Sequence, residues 1–195
     1  MTDKRLQEIV PGAILTTGTR ADADDCLRLR TAVSLELERD GTPELCLAAE
    51  SPEEFRAFFD DQESRALVLR TADGELVGFG IATYRGESRL KFRALIPDFD
   101  ASPRNVAYVK LIQVAPKYRG RRLQRLFFSE LETWARENGS AYAVGIVSPN
   151  NVASVKNFLR GGYREAERFI FEPFGYERIR MIKKLVGQLN DDSQD

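Results

Sequence analysis

The run from Val114 to Leu126, VAPKYRGRRLQRL, has the composition to hold a phosphate. It reads as a strand that passes through a tight basic turn into a helix, because Leu123, Leu126, Phe127, Leu131, Trp134 and Ala135 recur at helical spacing up to Gly139. The N–H groups at a helix start lack partners within the helix, and the helix dipole adds positive potential there, so an anion binds well. Neighbouring arginines add charge. The geometry predicts a pyrophosphate site, although the same run taken alone reads equally well as a basic helix start exposed to solvent.

A second group follows the apolar run from Ala141 to Val147: Asn151, Ser154, Asn157, Phe158, Arg160, Gly162 and Tyr163. The two blocks, in this order and with this strand and helix context, resemble the GNAT superfamily of acetyl-CoA-dependent N-acyltransferases. That family carries Q/R-x-x-G-x-G/A at the helix start, and here the segment is Arg119-Gly120-Arg121-Arg122-Leu123-Gln124. Arg122 stands where the family usually has glycine, and Gln124 replaces a glycine or alanine. The second family block has the spacing N-x-x-A/S-x-x-L-Y-x-K-x-G-F, with Phe158 in place of its tyrosine. The resemblance is clearest from Val106 to Leu185.

The resemblance implies acetyl-CoA as cosubstrate and no metal. It implies that Ile112, Gln113 and Val114 offer backbone groups to the pantetheine arm and thioester, and that Arg119 to Gln124 hold the pyrophosphate by backbone N–H. Asn151 and Ser154 would lie along the cofactor and Phe158 beside the sulfur. A side chain at position 122 is tolerated where φ is negative, turned outward, so Arg122 is expected either to reach a CoA phosphate or to stay solvated. The acceptor would be an amine on a small molecule, peptide or protein.

An amine must lose a proton before it attacks, since its ordinary pKa lies near 10.4. The chain contains no histidine, which removes histidine bases, triads built on them and most zinc sites. Tyr108 and Lys110, two residues apart on one strand face, occupy positions where relatives often place a catalytic glutamate. They are the catalytic candidates, joined by Glu87, Asp98 and Asp100 from a long loop. Each has an ordinary alternative as a packed ring or surface charge. Trp134 and Phe127 are assigned to the core.

The elements that must position these groups follow from pattern. Strands are expected at Ala13 to Thr17, Ala66 to Arg70, Leu76 to Tyr84, Val106 to Val114, Ala141 to Val147, Tyr163 to Phe171 and Arg178 to Lys184. Helices are expected from Asp22 to about Glu38, from Pro52 to about Gln62, from Leu123 to Gly139 and from Val152 to Leu159. Ser51, Pro52 and Glu54 form a capping box, and Asp73-Gly74 supplies a hairpin turn. The β-α-β-α-β order predicts an α/β (α+β type) fold: a mixed, mostly antiparallel sheet with a splayed parallel pair and helices on both faces. One domain is expected over 1–189, followed by a disordered acidic tail over 190–195.

Composition sets the remaining bounds. The 195 residues suit one core, and hydrophobic (43%) and charged (30%) fractions are those of a globular protein. Net charge of −1 gives no global field for nucleic acid, and no apolar run approaches the roughly 20 residues that span a bilayer. The N-terminus lacks a signal-peptide pattern, so a cytoplasmic location is the default, with Cys26 and Cys46 as reduced thiols. Pairing of strand edges into a homodimer stays open. Two competing readings remain: an acyl-CoA-binding sensor without turnover, motivated by the missing tyrosine, and a nucleic-acid footprint in the basic cluster.

Overall fold

Alternating apolar runs become the strands of one sheet, and the computed structural model describes residues 3–45, 50–85, 92–96, 104–172 and 174–185. The strands are β1 (Ile14–Thr17), β2 (Ser64–Arg70), β3 (Leu76–Thr83), β4 (Val106–Val114), β5 (Tyr142–Val147), β6 (Arg164–Phe171) and β7 (Tyr176–Lys184). Their spatial order is β1-β2-β3-β4-β5-β7-β6. Every neighbouring pair is antiparallel except β4 and β5. The mixed, mostly antiparallel sheet expected from sequence is therefore the fold.

Helices cover both faces. On one face α1 (Asp3–Ile9), α4 (Leu123–Glu137) and α5 (Val152–Arg160) bring Leu6, Phe127, Leu131, Trp134 and Phe158 against Leu69, Ala107, Val109 and Met181. On the other, α2 (Arg20–Arg39) and α3 (Pro52–Ala57) bury Ala23, Cys26 and Phe55 against Val68, Phe79, Ile81 and Leu111. A third cluster joins Phe92 and Ile96 to Tyr108, Tyr142 and Val144. Burial pushes the Cys26 thiol up to about 12, in keeping with an inert packed residue.

The Ser51 capping box forms as expected: Glu54 N–H donates to Ser51 Oγ (3.2 Å) and Ser51 N–H to Glu54 Oε2 (2.8 Å). The helix it starts is shorter than the sequence suggests, ending at Ala57 rather than near Gln62. Phe58 caps it, and Phe58 and Phe59 drop into the core while Asp61 accepts hydrogen bonds from Glu63 N–H (3.0 Å) and Ser64 Oγ (3.1 Å) to open β2. α1 was not anticipated. The Asp73-Gly74 hairpin is present, with Gly74 at φ 86. Cys46 and the 190–195 tail lie outside the described residues, and no helix among those described is long and apolar enough to cross a membrane.

A close contact helps to seat α5 on the sheet. Phe158 packs so closely over Gly145 of β5 that a Cβ there would lie 2.7 Å from the ring's Cζ. Gly145→Ala should therefore displace Phe158 and cost about 2 kcal/mol, the usual effect of overpacking, as measured by urea denaturation.

Candidate active site

The parallel pair at the centre of the sheet is short. β4 and β5 pair at Val106–Tyr142, Ala107–Ala143 and Tyr108–Val144. Beyond these, each strand keeps only its outer partner: β4 follows β3 to Val114–Gly78, and β5 follows β7 to Val147–Ile179. A bulge marks the parting. Ile81 pairs with Leu111 and Ala82 with Val109, which leaves Lys110 as an extra residue in β4. The bulge also shifts the alternation, so Ala107 and Val109 share the α4 face with Ile112 and Val114 rather than with Leu111.

A cavity of about 880 Å³ opens where the strands part. Ile112, Gln113 and Val114 line one wall and Ile146 and Val147 the other. Arg119, Gly120, Arg122, Leu123 and Gln124 from the turn and α4, and Asn151, Ser154 and Phe158 from α5, complete the residues that the sequence nominated. Arg121 does not line it. Its guanidinium donates to the Ile9 carbonyl (3.3 Å) and lies 5.7 Å from the centre of the Tyr118 ring.

The basic turn is held from outside. Lys117 Nζ meets Glu75 at 2.5 Å, Tyr118 Oη donates to the same carboxylate (3.1 Å), and Arg119 pairs with Glu36 of α2 at 3.3 Å. Gly120 takes φ 78. Arg122 is the N-cap of α4 at φ 63, and it is the one non-glycine residue at positive φ among those described. The expectation of a negative φ at Arg122 is thus corrected: the backbone keeps the left-handed conformation that suits glycine, and arginine occupies it at a cost. The start of α4 has no side-chain cap. Among the described residues the side chains of Arg122, Lys156 and Arg160, the last two lining the cavity from α5, make no hydrogen bond or ion pair.

Gln124 has a different use from the small residue it replaces. Asn157 Nδ2 donates to its Oε1 (2.6 Å), and its Nε2 lies 3.4 Å from Ser154 Oγ, so α4 and α5 are tied together at the cavity. Asn151 caps α5: its Oδ1 accepts from Ser154 N–H (3.0 Å) and its Nδ2 donates to the Leu45 carbonyl (3.3 Å). Phe158 is buried between Phe128 and Tyr163, with ring centres 4.7 and 5.0 Å away.

The two catalytic candidates are placed differently. Tyr108 is buried beside Phe92 and does not line the cavity; burial, and then the charge of Glu50, push its phenol far above the ordinary range. Lys110 lines the cavity, with Nζ 2.5 Å from Glu50 Oε1 and 5.6 and 5.4 Å from the centres of the Phe58 and Tyr108 rings. Glu50 also meets Arg30 at 3.5 Å. Sequence reasoning missed Glu50, which is hidden just ahead of a helix cap, and Arg178, a fully buried arginine on the cavity wall in β7. Glu87, Asp98 and Asp100 lie outside the described residues. No metal-binding group of histidine, cysteine or acidic residues occurs among those described.

The strained cap gives a direct test. Arg122→Gly should raise stability by about 1 kcal/mol in thermal or chemical denaturation, because glycine takes the left-handed conformation without the Cβ clash.

Residues 33–163 match the acetyltransferase (GNAT) family. No curated protein sequence matches the chain significantly. Among solved structures, the YncA protein of Salmonella typhimurium with its cofactor acetyl-CoA is 18% identical, with 93% of this chain and 99% of that one aligned at a TM-score of 0.67. A GNAT acetyltransferase from Streptococcus pneumoniae is 17% identical over 89% of this chain and 99% of its own, at 0.66. Nourseothricin acetyltransferase is 23% identical over 65% and 68%, at 0.51. At these identities the likeness is one of fold. The family match, spanning the parted strands, the basic turn and α5, shows that the chain belongs to the GNAT acetyltransferase family.

Proposed function

We propose that the protein transfers an acetyl group from acetyl-CoA to an amine, by direct attack of the amine on the thioester. The observation that carries this reading is the cavity between β4 and β5, which runs from the edge of Ile112 to Val114 that faces away from β3 to the uncapped start of α4. A long, partly apolar slot that ends in N–H groups and cations matches a molecule with an extended arm and a pyrophosphate. Arg122, Lys156 and Arg160 are the cations that would meet its phosphates.

Catalysis in this reading rests mainly on position. The backbone of Ile112 to Val114 orients the thioester, and the Val114 N–H polarises its carbonyl as the amine attacks. CoA leaves as thiolate without help from residue 158, because phenylalanine has no proton to give. Tyr108 is too deeply placed to take the proton from the amine. Lys110 and Glu50 are the titratable groups at the bulge. The acceptor class stays at amines on a small molecule, peptide or protein. The chain carries no excess positive charge for nucleic acid, and residues Lys117, Arg119 and Arg121 of the basic cluster are already engaged within the protein.

Two measurements test the proposal. Acetyl-CoA should bind in calorimetry, and Arg122→Gly combined with Lys156→Ala should weaken that binding by about tenfold, equivalent to ~1.4 kcal/mol, with the loss shrinking at high salt. Free CoA thiol should then appear when a panel of primary amines is added. Binding without release to any amine would favour an acyl-CoA sensor instead, and absence of binding would remove the reading altogether.

A further inference from the structure

Lys110 is an amine already at the cavity. It is the inserted residue of the β4 bulge, two positions before Ile112, at the point where the strands part. Its side chain is 17% exposed, and its Nζ touches a carboxylate that is itself 14% exposed. The surroundings do not balance its charge. Arg30, 6% exposed, shares Glu50 with it, so one buried and one largely buried cation face a single largely buried carboxylate among the described residues. Glu54 feels the charge of Lys110 but stands fully in solvent. Hydrogen bonding is also incomplete, since Arg30 Nη1 and Glu50 Oε2 are buried without a hydrogen-bond partner. Removing one charge from such a cluster is favourable, because a buried ion lacking its own counter-ion is costly.

Resting on the acetyl-CoA reading above, we infer that Lys110 is a self-acetylation site: in the absence of acceptor, its Nζ takes the acetyl group from acetyl-CoA bound in the same chain. The ammonium first gives a proton to Glu50 Oε1, already at hydrogen-bond distance. The neutral amine then attacks the thioester carbonyl carbon. The new N–C bond forms, the C–S bond breaks, and CoA leaves as thiolate, which takes the second proton, shed by the attacking nitrogen, to become the thiol, while Glu50 passes the first proton to solvent and is again a carboxylate. No oxidant or further reactant is needed. The product is a neutral amide at position 110, whose N–H can still donate to Glu50. Arg30 and Glu50 are left as a one-to-one pair. The reaction ends after one acetyl group per chain.

Mass spectrometry of the whole chain and its peptides after incubation with isotopically labelled acetyl-CoA tests this. The expected result is one acetyl group on the peptide that carries Lys110, none on Lys110→Arg, and labelling at least tenfold faster than on heat-denatured protein. Glu50→Gln should slow it, and Lys110→Arg keeps a cation beside Glu50 so that folding is preserved in the control. Equal labelling of native and denatured chains, or a label on cavity-lining Lys156 in place of Lys110, would overturn the inference. A thermal-shift titration run alongside separates the two levels: a shift with no label on Lys110 defeats self-acetylation alone, while no shift at all defeats the acetyl-CoA reading beneath it.

Discussion

The extra residue in β4 is the constraint on which the site depends. Up to Tyr108 the two central strands are bound side by side; past Lys110 they separate, and each is held only by its outer neighbour. A bulge strengthens local twist and bends its strand, so a single inserted residue is enough to turn β4 away. The cost is the loss of ladder hydrogen bonds in the middle of the sheet. That cost is bearable because β3 and β7 secure the outer edges and because α4 and α5 pack over the gap with Phe127, Phe128 and Phe158. What results is a slot with backbone on one wall, positioned by the central strands of the sheet.

The ends of that slot follow different rules. At the mouth, charge is left unspent: Arg119 and Lys117 are tied down by Glu36 and Glu75, whereas Arg122, Lys156 and Arg160 keep no partner among the described residues. Exposed cations of this kind add little to stability and are available to a ligand. At the bulge, charge is crowded instead, with Arg30 and Lys110 competing for Glu50 under a roof of Phe55, Phe58 and Tyr108. Between the two, the Asn157–Gln124–Ser154 contacts hold α5 at a fixed distance from α4. Gln124 thus restores by a side-chain tie some of the rigidity that close helix packing against a small residue would give.

Much of this was legible in the chain. Apolar spacing is local, so β4 was placed with both its ends and the other strands to within about two residues at an end. The basic turn and the start of α4 were visible because arginine and glycine cluster there. Arg122 was read incorrectly for a physical reason: a side chain in the sequence argues for negative φ, while the turn geometry demands positive φ whatever residue occupies it. A bulge in this strand follows from the family resemblance, but its position at Lys110 left no mark in the residues, since Val106 to Val114 reads as an unbroken strand and the shift appears only when β3 is aligned beside it. Glu50 and Arg178 were missed because the contact of Glu50 with Lys110 and the place of Arg178 on the cavity wall depend on segments distant in the chain, which no spacing within one segment encodes.

Amide hydrogen exchange with and without acetyl-CoA tests the central claim most directly, because it reports where along the backbone a ligand is held. Slowed exchange confined to Ile112 through Gln124 and the first turns of α5 would be the signature of a cofactor lying between the parted strands. Protection elsewhere, or exchange unchanged in these segments under saturating acetyl-CoA, would contradict the account.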